Sequence, residues 1–158
     1  MADNSTGFEG DTMKNILNIL LVEDNQQDEM LILRSLRKVN LANQVDVVRD
    51  GQQALDYLFH EGEFAEDGRV GLPAVVLLDI NLPRVNGLEV LTRLRGDQRT
   101  RTIPIVVLTS SDEEDDRLKS YENGANSFVR KPLDFTEFAQ AVAHLGVYWV
   151  VHNIPPGG

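Results

Sequence analysis

The residues that could do chemistry are an acidic pair, Glu23 and Asp24, a lone Asp79, the hydroxyl of Thr109 and the ammonium of Lys131. Each stands at the end of a short, largely apolar stretch. A run of strand length bounded by turn residues reads as a buried strand, so each of these groups should sit where a core strand meets a loop. Asp79 follows AVVLL (residues 74–78) and precedes a loop holding Pro83 and Gly87. An ionised carboxylate at the edge of an apolar core must be paired, metal-bound or solvated. Taken alone, Asp79 serves equally well as an acidic cap on the next helix. His60, His144 and His152 are scattered without metal-ligand spacing. Cysteine is absent, which excludes a disulfide framework, a thiolate metal site and a cysteine nucleophile and fits a reducing compartment.

The elements that must position these groups follow from periodicity. Residues 16–22 form a first strand. Residues 26–40 then carry Ile32, Leu36 and Val39 at helical spacing, with Met30 and Leu33 widening the stripe and Asp28, Glu29, Arg34, Arg37 and Lys38 facing solvent. Val45 and Val47 alternate in a second strand, and Asp50 with Gln53 reads as a capping pair for a helix through residue 59. The glycine- and acid-rich residues 61–72 read as a long surface loop. A helix with Leu88, Leu91 and Leu94 on one face follows the strand that ends at Asp79. Residues 103–108 form a fourth strand with Pro104 near its start. Ser111 and Glu114 read as a capping box for a helix that stops at Asn123-Gly124. Residues 126–129 form a fifth strand, and a last helix runs from about 134 to 151.

Strand and amphipathic helix alternating through the chain imply a five-stranded parallel α/β sheet with helices on both faces, of flavodoxin-like (βα)5 topology. The 158 residues suit one domain, expected over 15–151 between tails at 1–14 and 152–158. The formal net charge of -10 excludes a phosphate-neutralising nucleic-acid surface. No apolar run approaches the ~18 residues that span a bilayer, and the start of the chain has no secretory pattern, so a cytoplasmic protein with no membrane contact is expected.

In such a sheet all strand-to-helix loops emerge on one edge. Glu23, Asp24, Asp79, Thr109 and Lys131 should therefore gather there. Converging carboxylates repel and raise one another's pKa unless a cation is present, and an oxygen-rich cluster of this kind suits magnesium. Lys131 and the Thr109 hydroxyl could compensate the charge of a phosphoryl group.

The motifs VEDN (22–25), LLDINLPRVNG (77–87), VVLTSS (106–111) and Lys131-Pro132 together resemble the receiver domain of two-component response regulators. The resemblance implies that Asp79 is the phosphoacceptor and that Asp24, Asp79 and the Asn81 backbone carbonyl hold Mg2+, with Glu23 as the acidic neighbour reaching the ion through water. It implies that Lys131 contacts the acceptor and then the phosphoryl group, that its bond to Pro132 is cis, and that Thr109 and Phe128 form the switch pair. Phe128 stands where the family often has Tyr, so no hydroxyl holds either state. VVRDGQQAL (47–55), the long loop, residues 110–128 and Trp149 followed by Asn153-Ile-Pro-Pro narrow the resemblance to small stand-alone regulators of bacterial phytochrome histidine kinases. A sensor histidine kinase is thus the expected partner, and the chain is expected not to be an enzyme beyond its own phosphorylation and dephosphorylation. The alternatives are a pseudo-receiver that takes no phosphate and a haloacid-dehalogenase-type phosphatase. The latter needs an acid two residues after its nucleophile, where this chain has Asn81.

The last helix carries an apolar stripe of Phe138, Val142, Leu145 and Trp149 and another of Ala139, Ala143, Gly146, Val147 and Val150. One stripe suffices to pack on the sheet. The second, with Ala143, Val147 and Val150, is expected to form a homodimer face with the fourth helix and fifth strand.

Overall fold

The computed structural model describes residues 18–38, 44–66, 71–109 and 114–131. The apolar runs become strands β1 (Asn18–Val22), β2 (Gln44–Val48), β3 (Val75–Asp79), β4 (Ile105–Thr109) and β5 (Ser127–Arg130). All neighbours pair in parallel, in the order β2-β1-β3-β4-β5. That is the doubly wound order, in which the direction of strand addition reverses between β1 and β3. The helices are α1 (Gln26–Lys38), α2 (Gly51–Phe59), α3 (Gly87–Arg95) and α4 (Glu114–Glu122). The last helix, the Ser111 capping position and both tails fall outside the described residues, as do Pro132, Ala143, Val147 and Val150.

Each strand feeds two cores, because successive side chains point to opposite faces. On one face Ile19, Leu21, Val75, Leu77, Val106, Leu108 and Val129 pack against Ile32 and Leu36 of α1. On the other, Leu20, Val22, Val76, Leu78, Ile105 and Val107 pack against α2 and α3 through Leu55, Leu58, Val90, Leu91 and Leu94. β1, β3 and β4 are buried along nearly their whole length, which is why they read as unbroken apolar runs.

The helix starts are fixed locally. Asn25 accepts from the Asp28 amide at 2.9 Å, Asp50 from the Gln53 amide at 2.8 Å and Asn86 from the Glu89 amide at 3.0 Å, so α1, α2 and α3 each begin on a side-chain cap. Arg95, at the end of α3, ties three segments together. Its guanidinium donates to the carbonyls of Gly124 (2.8 Å) and Ile103 (2.7 Å) and to Asn126 Oδ1 (2.9 Å).

Two expectations need correction. Met30 does not widen the α1 stripe; it is 62% exposed, since it lies two residues before Ile32 and so about 200° round the helix. The 61–72 stretch is not wholly irregular. It holds a 3-10 turn, Gly62–Phe64, whose Phe64 ring meets Tyr57 edge-on at 5.3 Å.

Candidate functional site

The strand register brings the sequence-predicted groups to one edge. Val22 pairs with Leu78, so the next residues, Glu23 and Asp79, leave adjacent strands side by side. Leu108 pairs with Asp79 and Thr109 with Arg130, so the ends of β4 and β5 complete the edge. Glu23 and Asp79 keep step with Leu21 and Leu77, and Lys131 keeps step with Val129, all on the α1 face. Thr109 keeps step with Ile105 and Val107, and Phe128 is half-buried against that same core on the opposite face. Glu23, Asp79 and Lys131 thus converge on one side of the sheet edge. Thr109 and Phe128 occupy adjoining strands on the other.

At the centre, Lys131 Nζ donates to Glu23 Oε1 at 2.7 Å, Asp28 Oδ2 at 2.8 Å and Asp79 Oδ2 at 3.0 Å. The Lys131 backbone amide is fixed by the Thr109 carbonyl at 2.7 Å. The ammonium, Glu23 and Asp79 side chains are almost wholly buried, whereas Asp28 keeps 32% of its side-chain surface. Burial pushes the Glu23 carboxyl up to about 7, reinforced by its hydrogen bond to Asp79 and opposed by Lys131. Burial alone would lower the Lys131 ammonium; its carboxylate partners Asp28, Glu23 and Asp79 outweigh this and hold it above the ordinary lysine range.

The loop after Asp79 is held from both sides. The Asn81 amide donates to Asp79 Oδ1 at 2.9 Å. Val85 N–H bonds the Pro83 carbonyl at 2.8 Å across Arg84, whose φ is +68°, which makes a γ-turn. Gly51 and Gly87 close in on this loop; a Cβ on Gly51 would lie 1.7 Å from the Val85 carbonyl oxygen, and one on Gly87 2.3 Å from that of Asp79. These glycines are needed for close backbone approach.

Carboxylate oxygens of Glu23, Asp24 and Asp79 all lie within 4.8 Å of one another. Asp24 is exposed while the other two are buried, so the donor set is anionic, all-oxygen and open to water on one side. This fits a hard divalent cation that retains part of its hydration.

The response regulator receiver domain family matches residues 19–143. The chain belongs to this family. Among curated relatives, the receiver is 44% identical over 140 residues to the probable methanogenesis regulatory protein FilR2 of Methanothrix harundinacea, covering 88% of this chain and 87% of that one. Its structure is similar to that of the bacteriophytochrome response regulator RtBRR, at 53% identity and a TM-score of 0.79, covering 90% and 86% of the two chains. It is also similar to the Mn(2+)-bound form of response regulator Rcp1 (32%, TM-score 0.68, covering 85% and 94%) and to the phosphorylated cyanobacterial phytochrome response regulator RcpA (35%, TM-score 0.69, covering 89% and 96%).

Glu23, Asp24, Asp79 and Lys131 therefore come together as the sequence predicts, with Asn81 bound to Asp79 through its amide. Asp28, assigned to solvent by helical periodicity, belongs to the site. The available signal was Asn25: a cap there places Asp28 in the first turn, directly above the sheet edge. Glu29, also assigned to solvent, pairs with Arg49. Among the described residues no helix is long and apolar enough to cross a membrane.

Proposed function

We propose that this receiver takes a phosphoryl group on Asp79 from the phosphohistidine of a sensor histidine kinase. The observation that carries the reading is the buried Asp79 carboxylate, with one oxygen on the Lys131 ammonium and the other on the Asn81 amide. An Asp79 oxygen attacks phosphorus in line; the P–N bond of the donor breaks as the O–P bond of an aspartyl phosphate forms, and the donor ring, already protonated on its free nitrogen, keeps the bonding pair and leaves as neutral imidazole. Lys131 spreads its charge over the developing phosphoryl oxygens, and the rigid 80–87 loop keeps the carboxylate aimed. Magnesium bound to Asp24, Asp79 and the Asn81 carbonyl, with Glu23 behind it, would supply further charge neutralisation at the phosphoryl oxygens. The chain's catalysis extends only to its own phosphorylation and to hydrolysis of the acyl phosphate.

The test is incubation with acetyl phosphate and Mg2+ followed by intact-mass measurement. A gain of about 80 Da, the mass of an added phosphoryl group, is expected in the wild type and not in Asp79→Asn. Equal labelling of both sinks the assignment. Similarity to RtBRR and RcpA supports a phytochrome-type kinase as donor, and phosphotransfer profiling against such kinases tests it. The output is a surface: Thr109 and Phe128 switch together, and a homodimer forms through α4, β5 and the last helix with Ala143, Val147 and Val150. Sedimentation showing only monomer, with and without acetyl phosphate, refutes the dimer.

A further inference from the structure

Arg84 stands in the loop that follows Asp79 with a φ of +68°, a left-handed conformation that glycine adopts freely and arginine only against a steric penalty. The backbone alone would favour glycine here, so the reason for a long side chain lies in what it holds. Its guanidinium donates to Asp50 Oδ2 at 3.3 Å, while the other oxygen of Asp50 caps α2 on the Gln53 amide at 2.8 Å. The neighbouring residues are bonded too: the Gly51 amide donates to the Pro83 carbonyl at 3.3 Å. The start of α2 thus grips the loop after β3 twice, once through the backbone and once through side chains. This grip begins beside the acidic cluster, since the Val48 carbonyl accepts from the Glu23 amide at 3.0 Å.

We propose that Arg84 is a positioning residue whose ion pair with Asp50 steadies the loop carrying Asn81 and so keeps the Asp79 carboxylate aimed for attack. The Asn81 amide reaches Asp79 Oδ1 at 2.9 Å, and a loop fixed at both Pro83 and Arg84 has less freedom to carry that amide away. Asp50 keeps 14% of its side-chain surface and Arg84 61%, so the pair is sheltered on one side only and its hold is modest. A modest hold suffices, because the rate of an in-line attack depends steeply on the placement of the attacking oxygen. This rests on the phosphoacceptor reading above.

The experiment measures initial rates of labelling by acetyl phosphate with Mg2+ over a range of donor concentrations, together with thermal melts, for wild type, Arg84→Gly, Asp50→Asn and the double variant. Asn caps a helix as well as Asp, and Gly accepts the positive φ without strain, so each single variant should melt within about 3 °C of wild type. The maximal rate should fall about three- to fivefold in Arg84→Gly, the range that an exposed ion pair can supply, with the half-saturating donor concentration unchanged. Asp50→Asn leaves Arg84 a neutral acceptor and should slow labelling about twofold. The double variant should match Arg84→Gly and not show the product of the two losses, because both substitutions act through one bond. A residue that served only to shape the turn would be improved by glycine. An Arg84→Gly rate equal to or above that of wild type therefore overturns the proposal, as do multiplicative losses in the double variant or a loss confined to the half-saturating concentration. Absence of label on the wild type overturns the phosphoacceptor reading and this proposal together, whereas a labelled wild type with an unaltered Arg84→Gly rate overturns this one alone.

Discussion

Gly87→Ala tests whether the backbone beneath Asp79 must be held where it is. Gly87 opens α3 with its amide on the Ile80 carbonyl at 2.9 Å. The added Cβ would lie 2.3 Å from the Asp79 carbonyl oxygen and 2.6 Å from Ile80 Cα, both backbone atoms with no side-chain rotamer to escape into. Opening 2.3 Å to the 3.0 Å that real contacts begin to tolerate demands a shift of about 0.7 Å between β3 and α3. Overpacking of this kind costs ~1–3 kcal/mol, against which replacing a helical glycine by alanine returns up to ~1 kcal/mol. The net loss is about 1–2 kcal/mol, or roughly 2–8 °C in Tm for a chain of this size.

The effect on phosphorylation should be larger than the effect on stability. Misplacement of a reacting group by a fraction of an ångström to 1 Å costs up to ~100-fold in rate, so labelling of Gly87→Ala by acetyl phosphate should slow by about 10- to 100-fold. Thermal melts and intact-mass time courses measure the two effects separately. Gly96→Ala is the control, because its Cβ meets nothing nearer than the Thr92 carbonyl oxygen at 3.4 Å, and it should stay within about 0.5 kcal/mol of wild type. A Gly87→Ala protein that melts and labels like wild type would refute the claim that this close approach sets the acceptor's position.

Magnesium at about 100 times its Kd should stabilise the wild type by ~2.7 kcal/mol through mass action; Asp24→Asn should abolish that gain in a melt titrated with Mg2+. Arg95→Lys should cost about 2–4 kcal/mol by urea denaturation, because one ammonium lacks the planar fork that serves Ile103, Gly124 and Asn126 together. Hydrogen bonds from the Arg99 side chain and amide hold the Asp97 carboxyl at about 2, below its ordinary 3.8. A depressed acid stabilises above the unfolded value, so this exposed pair contributes fully above pH 3.8 and its contribution fades as pH falls through about 2. A carboxyl-carbon NMR titration should show the midpoint near 2 in wild type and higher in Arg99→Ala.

The sheet and the edge on which the site lies were legible because β1, β3 and β4 are apolar except at one end residue each, and burial on both faces leaves that signature in sequence. Strand ends then had to coincide, which located Glu23, Asp79, Thr109 and Lys131 without knowledge of any distance. Asp28 was not legible from periodicity. A helical wheel sorts residues by their angle to the core, but the first turn of α1 begins at the sheet edge, where a side chain can lie away from the core and still reach another strand's end. Arg95 was equally hidden, since all but one of its hydrogen-bond partners among the described residues are backbone carbonyls, which have no letter in the sequence.

The adjacency of Glu23 and Asp24 carries more information than their shared charge. Consecutive residues leaving a strand point to opposite sides, and here one carboxylate is fully buried on Lys131 while its neighbour is exposed. A buried ammonium needs a permanent buried partner, and a hydrated divalent ion needs an open one through which it can exchange. A single acid could not be both. The pair divides accordingly: Glu23 is taken by the fixed cation of the fold, and Asp24 is the carboxylate left facing solvent.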